Sequence, residues 1–384
     1  MEIPATVQNR IAVPVLALTL YAIAAGYLMS LVPLMLPYYQ LEASLASWLA
    51  SGFYAGLLAG ALVAEPVVNR LGHRYAFIGC LSLLQLSIIV MPLLPYTSVW
   101  LIARLVAGIA VAGIFVVVES WLLHGDEQGR AKRLGIYMVA LYGGTALGQM
   151  AIGPLGVAGL LPFIAIIALL LIACLVLIYG HTDQPSTQQA SSLSLQQMSK
   201  LSQPAMIGCL VSGLTLGAIY GLMPVELSQR GIAHSELGNL MALVILGGMA
   251  VQPLVPWLSQ FLGRTLQMAL FCLLGSAAIA LTAVDNSLWA LGVGLFVLGM
   301  ATFALYPIAI NLGCDKLAAN YIVSATQVML LSYSVGSVIG PLCADRFMQA
   351  RHGLMGYLFA ILLTTCLYML INSVSNKRQW VAGE

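Results

Sequence analysis

The sequence predicts an all-α integral membrane fold of twelve transmembrane helices, arranged as two pseudosymmetric halves of six. Three observations carry this prediction. Charged residues make up only 7% of 384 and mean hydropathy is +0.97, which leaves too little polar surface to cover a water-soluble fold. Apolar stretches cut by short polar turns run almost end to end, each near the roughly 20 residues that cross a hydrocarbon core about 30 Å thick. Marker residues also repeat at a fixed spacing between the two halves. The apolar–polar alternation of a barrel strand is absent, so the spans must satisfy their backbone as helices.

In chain order the predicted spans cover about 11–37, 45–69, 75–96, 98–124, 132–157, 160–180, 205–229, 235–260, 264–284, 287–313, 319–347 and 353–375. The first follows ten weakly charged residues, has no small-residue cleavage site and is too long for a signal segment, so it is expected to stay as span 1. Only one connection is long. Residues His181 to Pro204 are Ser/Gln-rich, nearly uncharged and aperiodic, the composition of a flexible linker. The expected domains are a six-helix bundle over 1–180, a linker over 181–204 and a second six-helix bundle over 205–384.

Lys and Arg placement sets the expected orientation. With the N-terminus cytoplasmic, inside segments carry Arg10, Arg70, Arg74, Arg130, Lys132, Arg133, Lys200, Arg264, Lys316, Lys377 and Arg378. Outside segments carry Arg230, Arg346 and Arg351. Both termini and the linker are therefore expected in the cytoplasm.

The halves read as copies. Pro33 and Pro224, Gly72 and Gly263, and Gly108 and Gly299 are each 191 residues apart, and Gly153-Pro154 matches Gly340-Pro341 at 187. Two such halves predict a central cavity that faces either side of the membrane by rocking.

Composition also excludes. Twelve spans leave no room for a soluble catalytic domain, and a net charge of +2 gives no reason to expect nucleic acid. The seven cysteines form no CxxC pair, so neither a metal site nor a disulfide framework is implied, and no cofactor is expected. No HExxH, GxSxG or Gly-Lys-Ser/Thr motif and no paired intramembrane aspartate is present, which argues against a membrane-embedded enzyme.

Three local signatures resemble the major facilitator superfamily, across all twelve spans. After span 2, Glu65-Pro-Val-Val-Asn69-Arg70-Leu-Gly72-His73-Arg74 is similar to the family's Gly-x-x-x-Asp-Arg-x-Gly-Arg-Lys turn, with Glu65 for the first Gly and Asn69 for Asp. A fainter copy is Gln260-Phe-Leu-Gly263-Arg264. In span 4, Arg104-Leu-Val-Ala-Gly108 resembles the family's intramembrane Arg with Gly four residues on. Gly336-Ser-Val-Ile-Gly340-Pro341 in span 11 fits the Gly-x-x-x-Gly-Pro signature associated with exporters, and Gly148 to Gly153-Pro154 is its first-half copy with one extra residue. The phrases VVVESWL, YGLMP, LYP and LLSYSVGS are similar to the YcaD-like branch of bacterial facilitators. The resemblance implies a major facilitator fold and alternating-access transport; it does not imply a cargo.

Charges inside a membrane are costly and usually functional. Span 4 holds Arg104 and Glu119, whose counterparts 191 residues on are Leu295 and Ile310. Proton coupling or gating is therefore assigned to the first half. Glu119 fits two compatible roles: a proton carrier in apolar surroundings, or a lock to Arg70 or Arg74 that supplies the carboxylate Asn69 lacks. Arg104, about 22 Å away along the helix, either snorkels to the outer interface or faces the cavity, where it binds an anionic group or tunes a proton site. Asn69, Arg70, Gly72, Arg74, Gly263 and Arg264 form the expected cytoplasmic gate. Glu226 and Arg230, spaced i, i+4, read as a local surface pair.

Mid-span aromatic and amide residues are the candidate cavity lining: Tyr27, Tyr142, Gln149, Tyr220, Phe303, Tyr306, Gln327 and Tyr333. Each also fits packing between helices. Few acidic groups are available there, so a neutral, weakly polar or anionic solute is a better fit than a strongly cationic one. The expected function is secondary transport of a small organic solute, proton-coupled and directed toward export, by a monomer in the bacterial cytoplasmic membrane with lipid as its surroundings. Proton-linked uptake of a sugar- or amino-acid-like nutrient is the alternative. A receptor would show no inward–outward exchange.

Overall fold

The computed structural model describes residues 5–123, 127–180, 202–285, 287–315, 319–349 and 353–381. Among them there is no strand. The helices are α1 (Ala5–Met35), α2 (Leu45–Leu71), α3 (His73–Leu93), α4 (Thr97–Leu123), α5 (Glu127–Met138), α6 (Gly144–Met150), α7 (Ile152–Leu155) and α8 (Leu161–Tyr179), followed by α9 (Gln203–Gln229), α10 (His234–Val251), α11 (Leu254–Leu258), α12 (Arg264–Val284), α13 (Leu288–Cys314), α14 (Ala319–Gln349) and α15 (Gly353–Val381). Twelve segments of the described residues are long and apolar enough to cross a membrane. The linker expected over 181–204 lies almost wholly outside the described residues.

Two compact units emerge from the packing, one drawn from residues 1–189 and 227–242, the other from 190–226 and 243–384. Within the first, α4 packs on α2 and α3, and α1 packs on α6 and α8. Within the second, α12 packs on α13 and α15, with α14 against α13 and α15.

The duplication extends to helix ends. Helices α4 and α13 each hold 27 residues and begin 191 positions apart, at Thr97 and Leu288. Helices α3 and α12 each hold 21 and begin at the same spacing, at His73 and Arg264. Because lipid tails are as apolar as leucine, membrane helices associate through close backbone approach at small residues. Gly56 and Gly108 provide this between α2 and α4: a Cβ on Gly108 would collide with the Phe53 carbonyl, and one on Gly56 with the Leu105 carbonyl. Their counterparts 191 residues later, Gly247 and Gly299, meet the Phe296 and Val244 carbonyls in the same way. A second seam joins α1 to α6 through Gly26 and Gly148, and α9 to α14 through Gly213 and Gly336.

Two expected spans are not single helices. Span 5 is divided: α5 gives way to a π-helical turn over Val139–Gly143, then α6, then the short α7 that carries Gly153 and Pro154. Its second-half counterpart, α14, runs unbroken through Pro341. Span 8 ends at Val251, because Pro253 has no N–H to continue the ladder, and α11 restarts after it. All seven cysteines are free, and Cys343 is exposed on α14.

Candidate functional site

Helix α4 carries a single stripe with Arg104, Val111, Phe115 and Glu119 spaced to share one face. Around Arg104 this stripe is closed by α2 and α1. The guanidinium carbon lies 4.5 Å from the centre of the Phe53 ring, a cation–π distance. Tyr21 and Tyr54 are its electrostatic neighbours, and Tyr21 packs edge-on against Phe115 at 6.2 Å. Arg104 is 9% exposed, so it does not snorkel to the interface. Its Nε has no hydrogen-bond partner among the described residues.

At the other end of the stripe, Glu119 Oε1 accepts a hydrogen bond from the Tyr137 hydroxyl at 3.0 Å. Tyr137 is buried and stands on α5 one residue before α5 ends at the π turn. Tyr142, within the π turn, and Tyr21 are its neighbours. The expected lock of Glu119 to Arg70 or Arg74 is not formed: Arg74 donates to the Ile178 carbonyl on α8, and Arg70 is exposed with Asn69 at the end of α2. The carboxylate is held instead by the Tyr137 hydroxyl of α5.

The two turn copies differ. Gly72 caps α2 at φ +77° and ψ 159°, a backbone region open only to glycine. Gly263 sits at φ −60° and needs no such freedom. Next to Gly72, His73 Nε2 is 2.9 Å from Ser120 Oγ on α4. Next to Gly263, Arg264 forms an ion pair with Asp315 at the end of α13. Each turn thus ties the start of one helix to the end of its neighbour, by different chemistry.

Of the expected cavity residues, Tyr27 and Gln149 are corrected. Tyr27 is 1% exposed and its hydroxyl donates to the Gly156 carbonyl at 2.6 Å. Gln149 is 0% exposed and its Oε1 accepts from Ser30 Oγ at 2.6 Å. Both fill the α1–α6 seam, where close helix approach leaves no room for solute. In the second unit, Tyr220 and Phe303 pair at 6.0 Å and Tyr306 and Tyr333 at 4.9 Å, joining α9, α13 and α14. Gln327 is exposed on α14. Glu226 is buried and its Oε2 accepts the Leu354 backbone N–H at 3.0 Å. It therefore caps the start of α15, a role beyond the surface pair expected with Arg230.

The sequence did not mark Phe53, Tyr54, Tyr21, Phe115, Tyr137, His73 or Asp315. Asp315 carried a usable signal, an acid at the end of a span facing the Arg264 turn. The aromatic residues carried none, because tyrosine and phenylalanine are common in apolar spans.

Among the described residues no group of His, Cys, Asp and Glu could hold a metal ion.

Residues 15–341 match the Major Facilitator Superfamily. The chain is 31% identical over 368 residues to the uncharacterized MFS-type transporter YcaD of Escherichia fergusonii, covering 94% of each chain. It is 32% identical over 341 residues to an uncharacterized MFS-type transporter of Yersinia enterocolitica, covering 86% of this chain and 87% of that one. Its fold is similar to the nucleoside transporter NupG, with TM-score 0.73 and 12% identity over 97% of this chain and 99% of that one. It is also similar to a bacterial homologue of the human lysosomal transporter Spinster in an inward-facing, unoccupied conformation, with TM-score 0.71 and 14% identity over 97% and 96%. With twelve apolar helices and the match over most of its length, the chain is an integral membrane secondary transporter, not an enzyme, and belongs to the Major Facilitator Superfamily.

Proposed function

We propose that the protein exports a small organic solute across a bacterial cytoplasmic membrane by alternating access, in exchange for protons, with Glu119 as the proton carrier. The observation that carries this reading is the Tyr137–Glu119 hydrogen bond. A carboxylate held by a neutral phenol gains and loses a proton without breaking an ion pair, whereas one locked to arginine stays ionised. The second half has Ile310 at the equivalent position, so coupling belongs to the first half alone. The protein works as a monomer, with six-helix bundles over 1–180 and 205–384, both termini and the linker cytoplasmic, as the Lys and Arg distribution favours. Tyr142, Tyr220, Phe303, Tyr306, Gln327 and Tyr333 contact the solute. Asn69, Arg70, Gly72, Arg74, Gly263 and Arg264 form the cytoplasmic gate.

The test is transport in inside-out proteoliposomes, with solutes first found by thermal shift. Antiport accumulates solute when the lumen is acid; proton-linked uptake of a nutrient accumulates it when the lumen is alkaline. Glu119→Gln is expected to keep solute exchange at equal pH and to lose gradient-driven accumulation at least tenfold. Unchanged accumulation in this variant removes Glu119 from coupling, and gradient-independent movement in the native protein reduces the reading to facilitated diffusion.

A further inference from the structure

Among the described residues, Arg104 has no anion beside it. It is more than nine-tenths buried, and among the described residues no carboxylate pairs with it and no acceptor meets its Nε. A guanidinium stays charged in any protein environment, and an unpaired charge in a low-dielectric interior is strongly unfavourable. Phe53 offsets part of that through its ring face, but a ring face accepts no hydrogen bond of the strength a carboxylate does. Arg104 is not alone in holding a buried polar atom without a hydrogen bond: Gln149 Nε2 and Ser212 Oγ share that state. Those groups are neutral, and Gln149 keeps Ser30 on its Oε1, whereas Arg104 carries a charge.

We infer that Arg104 is the anchor of a binding site for a monoanionic organic carboxylate with an aromatic or apolar body. This rests on the transport reading above and names its substrate class. One guanidinium fork matches one carboxylate through paired N–H···O bonds. The Phe53 ring face beside the guanidinium suits a flat apolar body, and the aromatic surroundings supply no cation for a second charge. The equivalent position on α13 is Leu295, so the anchor occurs once per chain and fixes one orientation of the solute.

The probe is benzoate, with benzamide as the neutral match of the same shape, added to detergent-purified protein at constant ionic strength. Benzoate is expected to raise Tm by a few degrees, and benzamide to leave it unchanged. Arg104→Gln is expected to lose the benzoate shift while its ligand-free Tm stays at or above that of the native protein, because an uncompensated buried charge has been removed. A native protein indifferent to benzoate, or equally stabilised by benzamide, overturns the site. So does an Arg104→Gln variant that keeps the shift, or whose ligand-free Tm falls, since a fall marks a structural cation. If that variant does not fold, Arg104→Lys decides: the fork is lost, apparent affinity should drop at least fivefold, and an undiminished response overturns the proposal. Labelled benzoate flux into proteoliposomes separates the two readings. Binding without movement keeps the site and removes transport; movement that ignores Arg104→Gln keeps transport and removes the site.

Discussion

Helices α4 and α13 are the same object twice, and they differ where it matters. Both have 27 residues, and both pack a glycine against a neighbour's carbonyl at the same register, Gly108 on Phe53 and Gly299 on Val244. Only α4 carries charge. Arg104 and Glu119 are replaced by Leu295, which is wholly buried, and Ile310. Packing contacts were kept in both copies because each half must hold together by itself. Charge stands in one copy only, and a buried charge is costly wherever it stands. The first copy holds Arg104 and Glu119, and the second is its apolar counterpart, with paired aromatic rings beside it.

The comparison breaks most visibly if charge is written into the second copy. Leu295→Arg should destabilise the protein by about 3–5 kcal/mol, seen as lost monodisperse yield and a lower Tm, because Leu295 is wholly buried and a cation there is desolvated. A tolerated arginine there would mean that the second half retains a latent polar site. A smaller contrast lies at the turns. Gly72→Ala should cost about 1–3 kcal/mol, since its backbone conformation is closed to alanine. Gly263→Ala should stay within about 0.5 kcal/mol, because its φ is ordinary and a Cβ there meets nothing within 4 Å. Thermal denaturation of the two variants side by side reads the difference. Smallest is the Arg264–Asp315 pair, whose side chains are 30% and 42% exposed. A double-mutant cycle should give less than about 1 kcal/mol, shrinking as salt is added.

The twelve spans were legible because hydropathy is a local property that each segment states by itself. The duplication was legible because glycine and proline are kept where a backbone must approach or bend. Breaks within spans were harder to read. Pro253 announces the end of α10, but the π turn at Val139–Gly143 has no residue that demands it. Side-chain partners were hardest. Glu119 met Tyr137 and not Arg70 because the outcome depends on how far one helix is rotated against another, and composition says nothing about rotation. The same lack of rotational information placed Tyr27 and Gln149 in a cavity, when the glycines beside them had drawn α1 and α6 together and shut them in. Arg104 stood between the interface and the interior in the sequence, and its burial removes the interface.

The π turn in the fifth span also acts as a phase shift. A turn with one residue more than the α-helix rotates whatever precedes it by about 100° relative to whatever follows. Helix α6 is clamped to α1 through Gly144 and Gly148, so the rotation falls on α5. Tyr137 is turned toward Glu119 by that single inserted residue. The hydroxyl that holds the carboxylate is therefore a matter of angular bookkeeping in the backbone. A wide turn, unlike an ion pair, can migrate along a helix one residue at a time, carrying its dependent side chains around the axis as it goes.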